Sequence, residues 1–373
     1  MKTPPDVWNC FVLVMFIYLE CYAAGSDVPR RRRDNPTCAK KFCEIELHTA
    51  CLPQSKDVKT GGISMDDQNT IVDYHNRLRG LVQPTATDML KMTWDGELAM
   101  LAQRWSDNCV IKHDPANRRD IPGRMPVGQN LGYNYTSWTD VIKAWYDERD
   151  HYDFNAGAAV GNKVIGHYTQ LVWADSNKIG CGFSVCGVTK FYACNYGPAG
   201  NFVGGRPYTS GKACGSCPGH CSSNLCDCGT NVCGNGGEMN MTTCSCECKL
   251  SFYIGDQCKL DCDSVAEPFY CGDGQFNAAG CSQISTVRQH CPNLCGICPY
   301  GGYKNSAPDV PIKECSGNTG QPGGGESKNP DNGESKKNGS VVGESKNPNS
   351  GTDLRSNTSL ASAVVIFFVI LNL

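Results

Sequence analysis

The stretch "GHYTQLVWADS", Gly166–Ser176, places a glycine and a histidine at the head of an otherwise apolar and aromatic helical segment. His167 is therefore either a ligand or catalyst, or a buried polar residue that orders a core. Two further residues share the question. His113 sits in "CVIKHD", and Glu148 lies one helical turn past Trp145. If the three meet in one groove, two imidazoles and a carboxylate could hold a divalent metal such as zinc or magnesium. They could equally serve as acid, base and orienter, or be histidines merely hydrogen-bonded in a groove wall. Spacing alone leaves these readings open.

Working outward, "SMDD" reads as a helix cap, followed by Ile71, Tyr74, Leu78 and Leu81 at three- and four-residue spacing. Leu98, Leu101, Ala102 and Trp105 repeat that pattern, and Trp138, Val141, Ile142 and Trp145 share a third face. "KIGCGFSV" and "KFYACNY" read as two strands. Helices followed by strands, without βαβ alternation, predict an α+β layered domain.

Formal charge is −3 and charged residues make up 19% of the 373, so nothing electrostatic favours nucleic acid as a partner. The 26 cysteines point to an oxidising compartment. Residues 1–25 read as a signal peptide, with Lys2, the apolar run Cys10–Leu19 and small residues up to Gly25. Its removal leaves 24 cysteines, an even number suited to full pairing. Arg30–Arg33 is a candidate processing site or a solvated charge run.

At the other end, Leu360–Leu373 is a short apolar tail, under the roughly 20 residues a bilayer span needs. With a polar spacer and small residues before it, residues 350–373 are expected to be a glycosylphosphatidylinositol attachment signal, with Asn349 as acceptor. Residues 299–349, in which "GESK" recurs among Gly, Pro, Ser and Lys, read as a stalk. Sequons at Asn134, Asn240, Asn338 and Asn357 fit a glycosylated surface protein; the last is lost if the anchor is added upstream.

"GHYTQLVWADS" and "FYACNYGPAGNF" (Phe191–Phe202) resemble the two long diagnostic motifs of the CAP superfamily of cysteine-rich secretory, venom-antigen and pathogenesis-related proteins. "YHNRLRG" and "GQNL" (Gly128–Leu131) follow the expected order, and the resemblance covers residues 66–212. It implies an α-β-α sandwich with a central groove carrying a divalent-metal site. His113, Glu148 and His167 match that site, but Gln129 stands where most members carry a glutamate. A neutral amide cannot act as a base and is a weak ligand, which counts against hydrolysis and leaves a two-histidine metal site. Residues 26–65, with "CAKKFCEIELHTAC" (Cys38–Cys51), are similar to the venom-antigen branch. The resemblance also implies the pairs Cys109–Cys186 and Cys181–Cys194.

Three cysteine-rich segments follow, expected to be held by disulfides rather than by a core. Residues 214–226 resemble the hinge of cysteine-rich secretory proteins, 228–258 an epidermal-growth-factor-like module, and 262–298 an ShK toxin-like domain. The last implies the pairs Cys262–Cys298, Cys271–Cys291 and Cys281–Cys295. Its Ser282–His290 segment lacks the Lys–aromatic pair of channel-blocking members. Cys38, Cys43, Cys51 and Cys315 have no partners assigned from sequence.

The reading leans to an extracellular binding protein over an enzyme. Its expected partners are a lipid or sterol, extracellular proteins, and a membrane through the lipid anchor. A metal-dependent hydrolase and a secreted channel-modulating effector are the alternatives.

Overall fold

The computed structural model describes residues 37–304, 309–311 and 315. The signal peptide, Arg30–Arg33, most of the stalk, Asn338, Asn349, Asn357 and the attachment signal lie outside the described residues. No helix among the described residues is long and apolar enough to cross a membrane.

Residues 58–197 form a three-layered α-β-α core. Helix α1 (Met65–Arg79) starts at a reciprocal cap, in which the Ser64 hydroxyl accepts from Asp67 N and the Asp67 carboxylate accepts from Ser64 N. Asp95 caps α2 (Gly96–Asn108) and Ser137 caps α3 (Trp138–Asp147) in the same currency of side-chain oxygen to backbone N–H. Helix α4 is short, Gly166–Leu171, and has no side-chain cap of its own at Ile165. Leu81, expected on the buried face of α1, falls past the end of that helix and is 55% exposed. The helix ends at Gly80, and Arg79 in its last turn points inward to bond the backbone of other segments.

The sheet has strands β1 (Val58–Gly61), β2 (Thr93–Trp94), β3 (Gly128–Tyr133), β4 (Lys178–Cys186) and β5 (Thr189–Gly197). Their order is β1-β4-β5-β3, with β2 adding parallel to β4. Strand β3 is thus an edge of that order. Helix α2 covers one face, so closely that a Cβ on Gly180 would fall 2.1 Å from Ala99 N and one on Gly182 2.3 Å from Gln103 N. Helices α1, α3 and α4 cover the other, where Ile71, Val141, Trp145, Leu171, Tyr192 and Tyr196 pack. The fold class is α+β.

Twelve disulfides join the described cysteines. In the core, Cys109 bridges Cys186 and Cys181 bridges Cys194, its partner across the strand pair. Residues 214–226 carry Cys214–Cys221 and Cys217–Cys226. The next segment pairs Cys228–Cys244, Cys233–Cys246 and Cys248–Cys258. The last pairs Cys262–Cys298, Cys271–Cys291 and Cys281–Cys295.

These segments are not held by sulfur alone. Phe252, Tyr253, Leu260, Val287 and Ile297 form a small apolar cluster shared by the last two, a difference from the coreless expectation. Each is too small to enclose such a core by itself, and together they bury one.

The N-terminal arm is tied down twice more. Cys38 bridges Cys51, and Cys43 reaches 272 residues along the chain to Cys315. Thr37–Ala39 pairs antiparallel with Asp309–Pro311, so ordered pairing continues past residue 298. Asn134 is exposed at the turn leaving β3, whereas Asn240 is half-buried and its side-chain oxygen accepts from Thr242 N and Thr243 N.

Candidate functional site

The two diagnostic stretches interlock before they build any site. Gln170 donates to the Ser176 hydroxyl and accepts from Gly200 N, while Ser176 donates to the Pro198 carbonyl. Arg79 of "YHNRLRG" is fully buried and donates to the carbonyls of Leu90, Leu171, Trp173 and Ala174. His75 donates Nδ1–H to Ile71 O and accepts at Nε2 from the Tyr196 hydroxyl, 3.0 Å away. Many motif residues are therefore scaffold, and the question narrows to the edge along β3.

His167 and Glu148 meet there. One Glu148 oxygen lies 2.6 Å from His167 Nδ1, and the other accepts from His167 N at 2.9 Å and Tyr168 N at 3.1 Å. Glu148 thus serves as the missing cap of α4, at the end of the helix where a negative charge is favoured. Trp145 stacks nearly parallel to the His167 ring at 6.2 Å. From the other side, Asn130 of β3 donates to the His167 carbonyl at 2.9 Å.

His113 is oriented by a chain of amides. Asn195 of β5 donates to Leu98 O at 3.3 Å, and its oxygen accepts from Gln129 Nε2 at 3.2 Å. Gln129 and Asn195 face each other in the β3–β5 register. The Gln129 oxygen is left for His113 Nδ1, 2.8 Å away. Because Gln129 must donate to Asn195, it accepts from His113, which puts the imidazole proton on Nδ1. Asn195 is the partner missed from sequence; pairing "GQN" with "ACN" in register would have found it.

Both rings therefore donate Nδ1–H and leave the Nε2 lone pair uncommitted: among the described residues, no hydrogen bond engages either Nε2. The His113 pKa is lowered, first by protein crowding on its inner side and then by Arg119 and His167, against the opposing Gln129 hydrogen bond. Its outer edge stays exposed.

Glu148 is not an open ligand. Among the described residues, Glu148 and His167 lie 2.6 Å apart, yet His113 does not join them to bring three ligand atoms within 4.8 Å of one another. Cys38, Cys43, Cys51 and Cys315 do cluster that tightly, but all four are in disulfides and offer no thiolate. A separate cavity of about 430 Å³, lined among others by Asp88, Phe154, Trp173, Arg206 and Tyr208, includes none of His113, Gln129, Glu148 and His167.

The cysteine-rich secretory protein family, CAP, matches residues 72–196. The chain is also 35% identical over 272 residues to cysteine-rich venom protein Mr30 of Conus marmoreus, covering 70% of this chain and 91% of that one. The chain belongs to the CAP family. Among solved structures, it is similar to NaASP2, solved with Zn2+, at 28% identity and a TM-score of 0.38, over 44% of this chain and 97% of that one. A second is venom allergen-like protein 4 of Schistosoma mansoni, at 28% identity and a TM-score of 0.36, over 40% of this chain and 97% of that one. As a CAP protein the chain is one of a secreted family, in keeping with the twelve disulfides among the described residues.

Proposed function

We propose that this is an extracellular binding protein whose groove holds a divalent cation on His113 and His167, with a lipid, sterol or protein as the larger ligand. The observation that carries the reading is the pairing of each imidazole with an acceptor at Nδ1, Gln129 for one and Glu148 for the other. Such partners fix the tautomer and orientation of a histidine that ligates through its other nitrogen. The donor set favours zinc over magnesium, because magnesium takes oxygen ligands and keeps its waters. When bound, zinc would supply a charged anchor for an acidic or carbonyl group of a ligand.

Binding is a better account than hydrolysis. With both Nε2 lone pairs given to the cation, a hydrolase would need a further base near the reacting water. The Glu148 carboxylate already accepts three hydrogen bonds, and Gln129 is neutral. Calorimetric zinc titration of the folded protein tests the reading. Wild type should bind one equivalent, and His167→Ala should abolish that binding while leaving the melting temperature nearly unchanged. Equal affinity in the variant would overturn the site.

A further inference from the structure

The segment between α2 and β3, residues 109–127, carries His113 at one end and delivers Gln129 at the other. Its conformation is not set by the CAP core alone. Asp114, next to His113, is buried and accepts from Arg119 at 2.7 Å and from the Thr49 hydroxyl of the N-terminal arm. Arg119 in turn donates to Asp114 O and Val127 O, closing the segment on itself. His48 donates Nε2–H to Asp120 O at 2.7 Å, since its Nδ1 accepts from Ala50 N.

The last cysteine-rich segment grips the same loop. Arg288, on the short helix Ser285–His290, makes an ion pair with Asp120 at 2.5 Å, and the two side chains are only 4% and 6% exposed. Ser285 donates to the same carboxylate, and Asn117 donates to Ser282 O at 2.6 Å. The other Asp120 oxygen accepts from Val127 N, one residue before β3. A buried pair of this kind is costly to break from one side, because the remaining charge is left without a partner. The loop that presents His113 is therefore held in place from outside the CAP core.

From this convergence we infer that Arg288 and Asp120 are positioning residues for the groove: docking of the segment 262–298 sets the placement of His113 and with it the zinc affinity. The inference rests on the two-histidine reading above. It is reciprocal, so zinc in the groove should in turn tighten the docked segment.

The test uses the folded, disulfide-bonded protein, with zinc alone as probe. Arg288→Gln should weaken zinc binding at least about fivefold, within the usual range of coupling between sites. Should that variant fail to fold, Asn117→Ala combined with Ser285→Ala removes two docking bonds without stranding a charge, and should weaken binding in the same direction. Leu90→Val, buried in a separate cluster against Cys214, Cys217 and Cys226, serves as a destabilised control and should leave zinc affinity unchanged. Hydrogen exchange should show amides of residues 282–290 slowed by zinc in the wild type and unaffected by zinc in His113→Ala. Unchanged zinc affinity in the docking variants, or no zinc effect on exchange at 282–290, would overturn the coupling while leaving the metal site standing. No zinc binding by the wild type would overturn the metal reading, and this inference with it.

Discussion

At Glu148 one carboxylate does three jobs: it caps α4 at two backbone N–H groups and fixes the His167 ring. Replacing it by glutamine keeps the shape but turns one acceptor into a donor. Glu148→Gln should then cost about 1–3 kcal/mol, the usual penalty for buried donors left unpaired, and weaken zinc binding roughly 10–100-fold, as loss of an orienting partner does. Urea denaturation and calorimetry on the same sample check both; normal zinc affinity would show that Glu148 only caps the helix. His113 and His167 were legible in the sequence as candidates because their motifs resemble those of a known family. The role of Glu148 as a cap was not, since it depends on α4 lacking a capping side chain at Ile165, which only the fold reveals.

At the scale of elements, the layered core was legible from periodicity and caps. Apolar spacing marks the faces of α1, α2 and α3, and a run rich in aromatic residues marks β5. Strand β3 carried a weaker signal, because its residues Gly128, Gln129 and Asn130 pair and orient rather than fill a core. Arg79 sits on an otherwise apolar helix face yet is wholly buried, and burial lowers its pKa to about 9. It remains charged at neutral pH, with carbonyl oxygens in place of water. Arg79→Met should leave those carbonyls without a donor and destabilise the protein by at least about 3 kcal/mol. Thermal melts of the two proteins decide it; a shift of only a degree or two would mean that water replaces the guanidinium.

The whole molecule should be acid-sensitive for a specific reason. Burial holds His48 at a pKa of about 3 and His75 at about 4, against an ordinary value of 6.5. Both are neutral in the folded state. Below pH 6.5 the unfolded chain takes up protons that the native state refuses, so stability is full above 6.5 and falls as the pH drops towards 4 and then 3. Each histidine contributes a slope of about 1.4 kcal/mol per pH unit well inside that window. Denaturation midpoints should already decline between pH 6.5 and 5, above the range where ordinary carboxylates titrate. A flat profile there would contradict the buried, neutral assignment. Long-range closure was the part least legible in the sequence. Cys43–Cys315 spans 272 residues and Asp120–Arg288 joins two segments of separate composition, so no local pattern could predict either.

The central claim, that the groove binds a cation through two imidazoles, is tested most directly by zinc-edge X-ray absorption on the zinc-loaded protein. Two nitrogen neighbours near about 2.0–2.1 Å, with imidazole outer-shell scattering that is lost in His113→Ala, is the predicted result. Sulfur neighbours near about 2.3 Å would place zinc at reduced cysteines instead. That result, or an all-oxygen shell, would contradict the account.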